Sequence, residues 1–150
     1  MKLNKALKVK NRLIGELNRT RQLIRTENSR RSDSVSKFDL SELQGNLIKL
    51  ENKFIDLKTK IAEATAPISR QLTKLTFLKD NINFYNTIPT RKGVEKVAYG
   101  NSSTIEEYTW TAYFDKESIE AFVSDFQKEI DELQDEVDEF NAKTDIEFVE

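Results

Sequence analysis

Leu40, Leu43, Leu47, Leu50, Phe54, Leu57, Ile61 and Ala64 recur at alternating spacings of three and four residues. This repeat of about 3.5 residues keeps one apolar stripe turned toward a partner helix. Asp39 or Ser41 can cap its start, because a short side-chain oxygen accepts from the free amides of a first turn. Ala66-Pro67 interrupts it. Proline has no amide hydrogen and disfavours helix at the residue before it, so the spacing predicts a break or kink near Thr65–Ala66.

Similar stripes run on either side. The first helix is expected over 2–28, with Leu3, Leu7, Leu13/Ile14, Leu17 and Ile24 on a seam that also takes in Lys10 and Arg21. Residues 28–37 are polar, with serine at 29, 32, 34 and 36, and read as a loop. A third helix carries Ile68, Leu72, Leu75, Leu78, Ile82 and Tyr85 on one face and should stop before Ile88-Pro89. The period then shortens to two. Val94, Lys96 and Ala98, and later Tyr108, Trp110, Ala112 and Phe114, alternate with their neighbours around Gly100-Asn101-Ser102-Ser103, which predicts a β-hairpin. Both of its faces contain aromatics. Asp115 should cap a last helix with Ile119, Phe122, Phe126, Ile130, Leu133, Val137 and Phe140 on its seam. Ile146 to Val149 read as a short strand or a tail. The expected fold is a single, mainly α domain over 1–150. It consists of long antiparallel helices in a coiled-coil-like bundle, with a small β-hairpin insertion near residues 94–114.

Charge divides the chain. The first 31 residues carry ten Lys and Arg against Glu16 and Glu27, and the last 36 carry fourteen Asp and Glu against three Lys. Such ends should attract, within one chain or between copies, so the basic first helix is expected to pair with the acidic last one. Each exposed ion pair adds only ~0–1 kcal/mol, so these charges select partners more than they hold the fold.

Composition narrows the chemistry. With no Cys, there is no disulfide, thiolate metal site or cysteine nucleophile. With no His, the commonest general base and metal ligand is missing, and a Ser-His-Asp triad is impossible. Only four Gly are present, and neither a phosphate loop nor GxGxxG occurs. The acidic pairs Asp131-Glu132, Asp135-Glu136 and Asp138-Glu139 lack EF-hand spacing, and consecutive carboxylates on a helix diverge, so they read as a solvated face. No apolar run is long enough to span a bilayer, and no signal peptide is evident, so a cytoplasmic protein is expected. An enzyme is the class this composition supports least, and no metal or cofactor is expected.

One candidate site remains. Arg25, Asn28, Arg30 and Arg31 follow the first helix, and Arg91 and Lys92 follow the third. If these helix ends reach one end of the bundle, guanidinium groups there can grip phosphate in a bidentate manner, with Gly93 permitting close backbone approach. Tyr85, Tyr99 and Trp110 could stack on a base. In a symmetric oligomer, copies of the cluster would converge into a cationic pocket. The plain alternatives are solvated loop arginines and a Trp110 used in core or interface.

The opening MKLNKAL is followed by the polar loop, the leucine-rich second helix, the stretch NTIPTRKG and a short β segment. The chain ends in FQKEIDELQDEVDEFNAKTDIEF. In this order the segments resemble the septicolysin-like family of small bacterial and phage-borne helical proteins. Ala142-Lys143 stand after Asn141 where many members have Trp-Thr. The resemblance implies a helical oligomer, and the family name implies a cytolysin. Helices patterned for helix partners and an acidic face that anionic lipid repels speak against stable membrane insertion.

By analogy of type with small, non-catalytic phage proteins, the expected function is a homo-oligomeric binding protein. It would hold a small anionic ligand, a nucleotide or ADP-ribose-type immune signal, as an anti-defence sponge. DNA is not an expected partner. A scaffolding coiled coil with no small ligand and a membrane-active cytolysin are the alternatives.

Overall fold

The computed structural model describes residues 1–100 and 103–149. It contains α1 (Leu3–Glu27), α2 (Leu40–Thr65), a 3-10 turn (Ala66–Ile68), α3 (Ser69–Asn86), β1 (Gly93–Ala98), β2 (Ile105–Trp110) and α4 (Lys116–Lys143). The protein is mainly α with a β-hairpin, as the periodicities predict. The chain forms two compact units, one of Met1–Ser69 with Val137–Glu150 and the other of Arg70–Glu136.

In the first unit, α1 and α2 lie antiparallel. Arg21 meets Glu51 at 2.8 Å, while Leu3 shares a buried cluster with Leu57 and Ile61. Asp39 caps α2 by accepting from the amides of Ser41 (2.8 Å) and Glu42 (3.3 Å). The break at Ala66-Pro67 is the 3-10 turn, with Pro67 in its opening positions where its missing amide hydrogen costs little.

The buried face of α1 is Leu3, Ala6, Val9, Leu13 and Leu17. The expected seam holds at Leu3, Leu13 and Leu17, but Ala6 and Val9 are buried where Leu7 and Lys10 were expected. An unpaired charge is costly to bury, so the helix turns its small and aliphatic residues inward and leaves Lys10 and Arg21 at the margin. The expected α2 stripe is correct along its length, but only Leu57 and Ile61 are fully buried.

The chain's last residues account for that gradient. Ile146 joins the cluster of Leu3, Ala6, Val9, Leu13, Leu57 and Ile61, and Phe140 and Phe148 pack against it. The backbone holds this tail in place. Leu3 N–H donates to Thr144 O at 2.8 Å, Ile146 N–H to Met1 O at 2.7 Å, and the Met1 amine to Ile146 O at 2.6 Å. Lys2 and Asp145 form a single antiparallel bridge and an ion pair at 2.8 Å. Of the strand and tail readings, the structure gives a tail with one bridge.

α2 therefore lies along α1, and the end of α4 also reaches the start of α1, where Lys2 Nζ donates to Lys143 O at 3.2 Å and Phe140 packs on the same cluster. Exposed ion pairs are worth ~0–1 kcal/mol each, whereas fully burying one Leu or Ile is worth about 1.5–3 kcal/mol.

In the second unit, α3 and α4 run antiparallel. Tyr85 packs on Phe122 and Phe126 with ring centroids 5.4 Å apart, and Lys74 pairs with Glu129 further along. Leu75, Leu78, Ile119 and Ile130 are buried. Asp115 caps α4 by accepting from the amide of Ser118 at 2.8 Å. That bond holds the Asp115 carboxyl below its ordinary pKa, with Lys92 a lesser contributor. β1 and β2 pair antiparallel in the register Gly93↔Trp110 to Ala98↔Ile105. The expected turn at Gly100-Asn101-Ser102-Ser103 falls partly on residues 101 and 102, outside those described.

Leu57 has no exposed surface and sits where α1, α2 and the tail meet. Leu57→Ala should lower stability by ~2–5 kcal/mol in urea denaturation, and Lys58→Ala by no more than about 0.5 kcal/mol.

Candidate functional site

The nine residues expected to form one site lie in two different units. Arg25, Asn28, Arg30 and Arg31 belong to the first; Tyr85, Arg91, Lys92, Tyr99 and Trp110 belong to the second.

The first four sit at the end of α1 and just beyond it. Arg25 donates to Gln22 Oε1 at 3.3 Å. Asn28 closes the helix, its amide donating to Ile24 O at 3.0 Å. Arg31 forms an ion pair with Asp33 at 2.6 Å, and its carbonyl accepts from the Ser34 hydroxyl at 2.7 Å. Arg30 is exposed beside it. Local serine and aspartate groups thus fold this loop upon itself.

In the second unit, Tyr85 is a packing residue, half-buried with its ring against Phe84, Phe122 and Phe126. The hairpin engages the other aromatics. The register places Glu95, Val97, Tyr108 and Trp110 on one face and Val94, Lys96, Ile105 and Glu107 on the other. On the first face, Trp110 Nε1–H donates to Glu95 Oε2 at 2.7 Å. Arg91 reaches the same oxygen at 2.8 Å and lies 4.8 Å from the Trp110 ring centroid. These three side chains close a triangle of hydrogen bond, ion pair and cation–π contact. The Trp110 bond, then the Arg91 bond, hold the Glu95 carboxyl below its ordinary pKa.

Further along this face Tyr108 donates to Glu106, and the Tyr99 and Tyr108 hydroxyls are 3.3 Å apart. Glu106 first, then Tyr99, push the Tyr108 phenol up to about 12. Glu95 and Val97 are half-buried on this face, while Tyr99, Tyr108 and Trp110 remain exposed. On the other face Lys96 and Glu107 lie 3.5 Å apart across the strands. Lys92 faces Asp115 at 3.8 Å. Gly93 has φ of 103°, a conformation that side-chain-bearing residues rarely adopt, which is its reason for being glycine. Arg91 and Lys92 therefore both face acids of their own unit.

The α1–α2 pair carries a groove that the sequence reasoning missed. It has a volume of about 530 Å³ and is lined by Arg19, Lys49 and Lys53, with Thr20 and Asn46 as neutral polar groups and Leu23 and Leu50 as apolar floor. No acidic side chain pairs with Arg19, Lys49 or Lys53 among the described residues. The one acid on its wall, Glu16, lies 3.7 Å from Arg12. The volume falls in the range of small-molecule sites, roughly 300–1,000 Å³. The available signal was Lys49 and Lys53, four apart on α2 and each beside a seam leucine or phenylalanine. Among the described residues no group of three carboxylates could hold a metal ion, and no helix is long and apolar enough to cross a membrane.

A lowered pKa means that the Glu95 contribution is present above the ordinary carboxylate pKa, about 4.3, and is lost as pH falls through the lower folded value. Trp110 is the only tryptophan and reports on this directly. Its fluorescence should titrate below pH ~4.3, and Glu95→Gln should remove that transition.

No family model, curated protein or solved structure matches the chain.

Proposed function

We propose that this is a non-catalytic binding protein that takes a phosphate-bearing small molecule of nucleotide size into the α1–α2 groove. The carrying observation is the meeting of Arg19, Lys49 and Lys53 around one groove with no acid paired to them. A guanidinium and two ammonium groups supply charge-assisted hydrogen bonds to phosphate oxygens, each worth about 1.5–3 kcal/mol. Thr20 and Asn46 add neutral donors, and Leu23 and Leu50 offer apolar surface to a base or ribose. The lining has no His or Cys, and its one carboxylate, Glu16, faces Arg12, which favours holding a ligand over transforming it.

This assignment moves the anion site from the loop arginines to the helical groove. Arg31, Arg91 and Lys92 already face Asp33, Glu95 and Asp115, so an incoming phosphate would have to displace a carboxylate there. The reading fits a cytoplasmic protein, since phosphate-bearing metabolites are abundant in that compartment.

The test is retention. The protein is mixed with nucleoside mono-, di- and triphosphates, separated by gel filtration and denatured, and the released compounds are identified by mass. A phosphate-bearing compound released unchanged is the expected result. Lys49→Glu with Lys53→Glu should weaken its binding at least ~100-fold while leaving helicity intact. Release of a converted product would make the protein an enzyme, and retention that ignores the double substitution would place the ligand elsewhere.

A further inference from the structure

The α1–α2 pair has a second side, and it is chemically unlike the basic groove. A depression of about 430 Å³ there is lined by Ile14, Leu17, Phe54 and Ile55, with Asn18, Arg21 and Glu51 completing its wall. Ile14 is 39% exposed and Ile55 58% exposed. Ile48, seven residues before Ile55 and so on the same face of α2, is 51% exposed. These isoleucines form an apolar stripe beside the one already used between α1 and α2. A helix with two adjacent stripes is patterned for two neighbours, and the first unit supplies α2 only one of them along this stretch.

We infer that this face binds the same face of a second copy of the chain, joining two α1–α2 pairs into a four-helix layer. Charge selects a copy of itself as the occupant. A two-fold dimer brings identical patches together, so a patch with net charge repels its own image. The basic groove, with Arg19, Lys49 and Lys53, is unsuited to self-pairing. The isoleucine face is suited to it, because its only two charged wall residues, Arg21 and Glu51, neutralise each other at 2.8 Å.

The two sides of the α1–α2 pair then divide the labour: the neutral apolar side meets the partner copy, and the cationic side stays open to solvent.

Sedimentation equilibrium over a range of protein concentrations tests this. The wild-type protein should show twice the 17.4 kDa chain mass, dissociating only on dilution. Ile48→Asp with Ile55→Asp should raise the dissociation constant more than ~100-fold, with helicity by circular dichroism unchanged because both side chains are exposed in the single chain. If that pair lowers helicity, the milder Ile55→Ser decides by the same readout. Lys49→Glu with Lys53→Glu should leave the mass unaltered, which separates this interface from the anion groove. A wild-type monomer at every concentration would overturn the proposal. So would a wild-type mass in the isoleucine variants, or an assembly that is lost only with the lysines.

Discussion

Everything in the first unit depends on one apolar contact, where the start of α1, the end of α2 and the tail after α4 bury Leu3, Leu57, Ile61 and Ile146 together. Two helices alone cannot enclose a seam, because each leaves the flanks of the other open to water. The tail supplies the missing wall at one end of the pair. Its backbone bonds to Met1 and Leu3 fix it there without leaving orphaned polar groups. Where the tail covers the seam, Leu57 and Ile61 are buried. Farther along α2 the same stripe is only half-buried, through Leu50, Leu47 and Leu43.

Electrostatics fills in what this contact leaves. The basic end of the chain carries its charge on a helix buried against α2, where Arg21 pairs with Glu51, while Lys2 pairs with Asp145 of the tail. In the second unit each cation near the hairpin has found an acid within its own neighbourhood: Arg91 with Glu95, Lys92 with Asp115, Lys96 with Glu107. The hairpin needs these contacts, since a two-stranded sheet is marginal by itself and β2 is exposed along its length. Arg91, Glu95 and Trp110 stabilise the hairpin, which leaves fewer cations there for a ligand. The cations of the α1–α2 groove carry no comparable structural duty, and this is why the proposed anion site lies on them.

The fold was largely readable from periodicity. The α2 stripe, the break at Pro67, the α3 face, the first strand and the Asp39 and Asp115 caps are each local features, set by residues within a few positions of one another; the second strand, expected over Tyr108 to Phe114, runs instead from Ile105 to Trp110, where it pairs with the first. The phase of α1 was readable only in part: Leu3 and Leu17 were placed on the buried face, but Ala6 and Val9 were not. Its apolar residues fit two overlapping seams, and the choice between Val9/Leu13 and Lys10/Ile14 is made by what α2 and the tail present to it. The candidate site was less legible still. The sequence marks which residues are cationic or aromatic, but Arg31, Arg91 and Lys92 stand next to acids that the spacing did not flag as partners. Lys49 and Lys53 are neighbours on α2, but Arg19 lies thirty residues and more before them on α1, and nothing local joins it to them.

By itself, then, the order of residues determined helix, turn and strand, because hydrogen bonding along a helix, proline's missing donor and side-chain alternation act over short stretches of chain. Only the tertiary structure decided which apolar stripe met which, which charges were consumed and which were left facing an open groove. Those outcomes rest on competition for buried area and on distances between residues far apart in sequence, and neither quantity exists until the chain has folded.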